Sequence, residues 1–116
     1  MKNRPFLERL TFALNGIGAA WRRENSFRTQ IGIATLAVIF LLFLRSPIVW
    51  WAIVGVTISF VLAIELMNSA FEALVDHLHP DRHPEIRIIK DMAAGGVLIA
   101  SIGALAVGAL LLLATL

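Results

Sequence analysis

The segment ELMNSAFEALVD, Glu65 to Asp76, decides how this chain folds. On a helix turning about 100° per residue, with Glu65 at zero, Asn68 falls near 300°, Glu72 near 340° and Asp76 near 20°. The four share an arc of roughly 80°, with Ser69 at its edge. Leu66, Met67, Ala70, Phe71, Ala73 and Leu74 cover the other side. The pattern is one acidic stripe on an otherwise greasy helix. The residues leading into it, Ser46 to Ile64, carry no charge at all. A helix needs about 20 apolar residues to cross about 30 Å of hydrocarbon, so the run that ends at Glu65 reads as a membrane span whose inner end is acidic.

Two more charge-free runs lie on either side, Thr29 to Leu44 and Met92 to Leu116. The first is short, but Arg28 and Arg45 can snorkel and extend it; the last is long enough to cross with tilt. Of all residues, 59% are hydrophobic and the mean hydropathy is +0.83, whereas soluble domains are about 45–50% apolar even with glycine counted. The expected fold is an all-α membrane protein of one domain, residues 1–116. It has an amphipathic surface helix over about 5–23 and spans over about 29–45, 47–75 and 91–116. The surface helix interleaves Phe6, Leu7, Leu10, Phe12, Leu14, Ile17 and Trp21 with Glu8, Arg9, Asn15, Arg22 and Arg23, and a break is expected near Gly16 and Gly18. Arg45-Ser46-Pro47 forms a tight turn, with Pro47 suited to the first turn of the next helix. Asp76 to Asp91, with Pro80, Pro84, His77, His79 and His83, reads as a polar loop. A core within one copy would be small, so an oligomer is expected.

Lys and Arg set the orientation. Lys2, Arg4, Arg9, Arg22, Arg23 and Arg28 precede the first span, and Arg82, Arg87 and Lys90 lie in the second link; the short turn has only Arg45 and the C-terminus none. The N-terminus and the 76–91 link are therefore expected in the cytoplasm. The opening MKNRPFLERL is charged and the first apolar run begins after Arg28, too late and too mixed for a secretory leader, so the first span is expected to be retained. Cysteine is absent, which excludes disulfides and thiolate metal sites. The net charge is only +2, and the basic residues flank spans instead of lining a soluble face, which argues against nucleic acid as a partner.

An acidic residue near the bilayer centre costs roughly 2.5–3.5 kcal/mol, less toward the interface. Glu65 and Glu72 on one face also repel unless a proton or cation sits between them. Intramembrane carboxylates are functional by default. Singly, the members have blander readings: Asn68 as helix–helix glue, Glu72 as an interfacial charge, Asp76 as a helix end, Lys90 as an interface anchor, Glu24 as a solvated partner of nearby arginines. The histidine spacing does not suit zinc. Gly95, Gly96, Gly103 and Gly108 read as packing positions, and no soluble-type phosphate loop is present. From residues alone, a lipid-acting enzyme, a small cation- or proton-coupled transporter subunit and a non-enzymatic membrane subunit all stand. The transporter reading is the weaker of the first two, because the polar face stops at Glu65 and the outer halves of the spans are apolar.

ELMNSAFEALVD followed by KDMAAGGVLIA, with AAWRRENSFR before the first span, resembles the prokaryotic diacylglycerol kinase family, which includes undecaprenol kinases. The resemblance runs from about Gly16 to the third span. It implies a homotrimer in the bacterial cytoplasmic membrane, with active sites between subunits, that transfers the γ-phosphoryl of ATP, with Mg²⁺, to a lipid hydroxyl and so turns diacylglycerol into phosphatidic acid. By motif, Glu65 matches the catalytic base and Asn68 a residue of the active-site face. Glu72 and Glu24 match the carboxylates that hold the metal on ATP. Lys90 and Asp91 match the pair that contacts the nucleotide, and Asp76, Asp81, Arg82 and His83 fall where the family surrounds it. The chain departs from the family at Phe12, where some members place a nucleotide-contacting tyrosine, and at Thr29-Gln30, where some carry Gln-Glu. Arg4 and Arg9 are both candidates for an N-terminal nucleotide-contacting arginine.

Overall fold

A computed structural model of the chain describes residues 3–116; Lys2, counted above toward orientation, lies outside them. Among the described residues there are four helices and no strand: α1 (Phe6–Arg23), α2 (Asn25–Leu44), α3 (Ile48–Leu78) and α4 (Pro84–Thr115). The last three are each long and apolar enough to cross a membrane.

The helices run further than the charge pattern predicts. α1 is uninterrupted, so the expected break at Gly16 and Gly18 is absent; a mid-helix glycine costs only about 1 kcal/mol against alanine. α2 begins at Asn25 and carries Arg28 within its first turns, which lengthens the span that looked short. The largest correction concerns 76–91, which is mostly helix. α3 continues through His77 and Leu78 and closes when the His79 N–H bonds the Val75 carbonyl at 2.8 Å. α4 starts at Pro84, where proline's missing N–H costs nothing, with His83 as its N-cap. Only residues 79–83 connect the two.

Both other joints are tight. Glu24 alone separates α1 from α2. Its extended backbone donates to the Ala20 carbonyl at 2.9 Å and accepts from Arg28 at 3.3 Å. Arg45 closes α2 in the left-handed region (φ 53°, ψ 47°), with the Ser46 N–H reaching the Leu41 carbonyl at 3.1 Å. This is the geometry in which helices end at a C′ residue. Pro47 then precedes α3 as its N-cap instead of entering its first turn.

α3 is central, packed on both α2 and α4. Leu41, Val54 and Leu111, one from each span, form the buried core, with Trp50, Trp51 and Val107 against it. These residues lie toward the α2–α3 turn. The opposite end, which carries the acidic stripe, buries Ala20 and Phe27 and adds polar contacts between helices, Ser26 to Glu65 and Lys90 to Asp76. α3 has 31 residues, about 46 Å at 1.5 Å each, against about 30 Å of hydrocarbon. It is therefore longer than a perpendicular crossing needs, and its charged residues, Glu65, Glu72 and Asp76, all fall in its second half.

Candidate active site

Glu65 is 3% exposed, the one buried charged residue among those described. It follows the charge-free run of α3, and its Oε1 accepts a hydrogen bond from the Ser26 hydroxyl of α2. One turn further, the Asn68 Oδ1 is buried with no partner. A buried amide oxygen without a donor forfeits about 1–3 kcal/mol, so Asn68 points an unused acceptor into the same part of the α3 surface.

Toward the end of α3 come the half-buried carboxylates. Glu72 lies roughly 10 Å beyond Glu65 by helical rise and on the same face. Glu24 sits at the α1–α2 joint, two residues before Ser26. Because α2 and α3 are antiparallel, Glu24 is displaced from the Ser26–Glu65 contact in the same direction as Glu72. Neither belongs to the ion pairs among the described residues, which are Arg4–Glu8, Arg87–Asp91 and Lys90–Asp76. Although Glu24 occupies the N-cap of α2, its side chain makes no capping bond. The joint is braced by Arg28 instead, whose guanidinium donates to the carbonyls of Trp21 (2.7 Å) and Arg22 (3.3 Å) and to the Asn25 side chain.

The ends of α3 and α4 and the short link enclose a recess of about 640 Å³, within the 300–1,000 Å³ typical of ligand pockets. Its wall includes Asp76, Asp81, Arg82, His83, Arg87 and Lys90. The Lys90 ammonium donates to Asp76 at 2.5 Å, tying the two helices together across the mouth. The His83 Nδ1 accepts from the Glu85 N–H at 3.1 Å and so is spent on starting α4. His79 lies edge-on to His83, with ring centroids 6.1 Å apart.

The sequence-predicted residues thus fall into tiers: Glu65 and Asn68 deepest, Glu72 and Glu24 between, and Lys90, Asp76, Asp81, Arg82 and His83 together around the recess. Asp91 stands apart. It is exposed, pairs with Arg87 at 3.4 Å, and does not line the recess.

Residues 11–112 match the family model described as prokaryotic diacylglycerol kinase. The chain belongs to that family. Diacylglycerol kinase of Synechocystis is 37% identical over 88% of this chain, which spans 59% of that longer protein. Diacylglycerol kinase of Escherichia coli K12 is 32% identical over 87% of the chain and 83% of its own length. Undecaprenol kinase of Bacillus subtilis is 29% identical over 93% of the chain and 88% of its own. The chain is accordingly a membrane protein of the lipid kinase class.

Read as a diacylglycerol kinase-family site, the structure adds a residue that sequence reasoning missed. Ser26 has no periodic or charge signal. Its only mark is a hydroxyl in the first turn of a span, two residues from Glu24. Asking what the first span presents at the depth of Glu65 would have singled it out. His79 and Arg87, which also line the recess, were hidden because 76–91 read as a loop and gave no face to place them on.

Proposed function

We propose that this family member phosphorylates a membrane lipid hydroxyl with MgATP at the cytoplasmic face of the bacterial inner membrane, with diacylglycerol as the preferred lipid and phosphatidic acid as the product. The observation that carries this reading is Glu65, a carboxylate buried at the inner end of an apolar run, with a polar recess further along the same helix. A lipid hydroxyl lies at headgroup level, so a base for it must sit at the inner edge of the hydrocarbon; ATP arrives from water, so its contacts must sit beyond that edge. The order along α3, buried Glu65 first and recess-lining Asp76 later, supports this reading.

In the proposed step the lipid O–H gives its proton to a Glu65 oxygen. The lipid oxygen forms a bond to the γ-phosphorus, the bond from that phosphorus to the β,γ-bridging oxygen breaks, and ADP leaves with the electron pair. Phosphoryl transfer needs little from the protein beyond positioning and charge neutralisation. Lys90 and Arg82 supply positive charge at the recess, and Asn68 supplies an acceptor beside the reacting hydroxyl. The described residues contain no group of three or more His, Asp or Glu placed to hold a metal. Mg²⁺ is usually held by one or two carboxylates plus substrate phosphates. Glu24 and Glu72, with side chains outside the ion pairs and caps among the described residues, would be those carboxylates, and the ion would neutralise phosphate charge. A lipid-facing α1, a cytoplasmic N-terminus and a homotrimer complete the reading. The exposed apolar residues of all three spans suit lipid and neighbouring copies.

The undecaprenol kinase among the relatives matches as much of the chain as the diacylglycerol kinases do, so the polyprenol is the second lipid to test. Purified protein in mixed micelles, given radiolabelled ATP and both lipids in competition, is expected to label diacylglycerol ahead of undecaprenol. Preferential labelling of undecaprenol would reverse the assignment, and no label in either lipid would end the kinase reading. Lys90→Met is expected to lower kcat/KM for ATP by about 10- to 100-fold, since a charged hydrogen bond contributes about 1.5–3 kcal/mol, with the lipid KM unmoved. A change confined to the lipid KM would take Lys90 off the nucleotide.

A further inference from the structure

We infer that Ser26 is a positioning residue for Glu65, holding the carboxylate in the orientation and protonation cycle that the reaction requires; this rests on Glu65 being the base. Glu65 is 3% exposed, and its side-chain hydrogen bond comes from the Ser26 hydroxyl across 39 residues of sequence. A glutamate side chain has three rotatable bonds, and neither Asn68 nor Ser69 one turn along its helix bonds to it, so the Ser26 hydroxyl is what fixes where its oxygens point. The serine is itself anchored, because it lies in the first turn of α2, immediately after the joint that Arg28 braces through Trp21, Arg22 and Asn25.

A hydroxyl suits this place for a chemical reason. It donates to a carboxylate and, by rotating about its C–O bond, accepts from a carboxylic acid. When Glu65 takes the proton of the lipid hydroxyl, its new O–H can turn to Ser26, so the buried group keeps a partner before and after transfer. Alanine gives none in either state. An interhelical hydrogen bond in a membrane contributes little to stability, whereas misplacing a catalytic group by about 1 Å can cost about 100-fold in rate. The contact therefore matters for turnover far more than for folding.

The test compares Ser26→Ala, Ser26→Thr and Glu65→Gln with wild type in mixed micelles, measuring kcat and KM for diacylglycerol and for MgATP. Ser26→Ala is expected to lower kcat by about tenfold or more with both KM values held, and Ser26→Thr, which keeps the hydroxyl, to restore kcat. Wild-type kcat in Ser26→Ala, a loss that threonine does not restore, or a loss confined to KM would each overturn the inference. If Ser26→Ala does not fold, Ser26→Cys takes its place: a kcat below that of Ser26→Thr supports the role of the hydroxyl, and an equal kcat removes it. Inactive Glu65→Gln beside fully active Ser26→Ala would defeat the Ser26 role alone. Active Glu65→Gln would defeat the base assignment, and the Ser26 role with it.

Discussion

Glu65→Gln is expected to abolish turnover while leaving a folded protein that still binds ATP. General base catalysis contributes about 10²- to 10⁴-fold, or about 3–5 kcal/mol of barrier, and glutamine cannot take a proton. Glutamine keeps the length of the side chain and an oxygen that can accept from Ser26, so the contact between α2 and α3 survives. The recess proposed for ATP lies roughly 16 Å further along α3 by helical rise, at the level of Asp76, and is not reached by the change. Stability should hold or rise, because a neutral amide is less costly than a carboxylate to bury in an apolar layer. The expected signature is thus split: lipid labelling lost, nucleotide binding retained, thermal unfolding in detergent unchanged or later. Activity near wild type would show that Glu65 is not the base. Loss of activity together with loss of ATP binding would mean that Glu65 acts on the nucleotide.

The same variant separates the kinase from a cation- or proton-coupled carrier, because a carrier would lose transport and have no lipid labelling to lose. The hydroxyls farther out in the spans also speak against a conducting path. Thr35, Thr57, Ser59 and Thr115 each bond back to the carbonyl four residues earlier in their own helix. Such groups are satisfied locally and do not form a chain leading from Glu65 to the far side.

The acidic stripe and the three spans were legible because both are one-dimensional signals: charge is absent or present along the chain, and a helix converts spacing into a face. The same logic misread 76–91. Charge and proline density there indicated a loop, but a helix emerging from the membrane into water tolerates charge, and the prolines sit at positions 80 and 84, where one helix has ended and the other begins. Once α4 is known to start at Pro84, Lys90 falls opposite Asp76, a pairing that the linear sequence only suggests by height. Ser26 was illegible for a different reason. Its meaning depends on which residue of another helix it meets, and one small hydroxyl carries no pattern. Asp91 follows Lys90 in the motif but faces elsewhere: adjacent residues on a helix diverge by about 100°, and its side chain turns to Arg87.

Glu72→Gln is expected to raise the Mg²⁺ concentration needed for half-maximal activity by about tenfold or more, given the several kcal/mol that metal-assisted charge stabilisation supplies, and at limiting Mg²⁺ to leave almost no activity. The bland alternative is an interfacial charge nearly two turns from the helix end. The two readings differ in what the lost charge does. An interfacial glutamate contributes to solvation and its replacement would shift stability slightly, with no dependence on divalent cation. A metal-holding glutamate, sharing a face with Glu65 but outside the ion pairs among the described residues, makes the loss recoverable by mass action, since excess Mg²⁺ refills a weakened site. Glu24→Gln should behave in the same direction, because its side chain is likewise unspent on the helix cap it occupies. If the two carboxylates hold one ion, the double variant should cost less than the sum of the singles, since groups acting as a unit are not additive. Unchanged Mg²⁺ titrations in both single variants would remove the carboxylates from the metal and return the charge repulsion along α3 to a proton for its explanation.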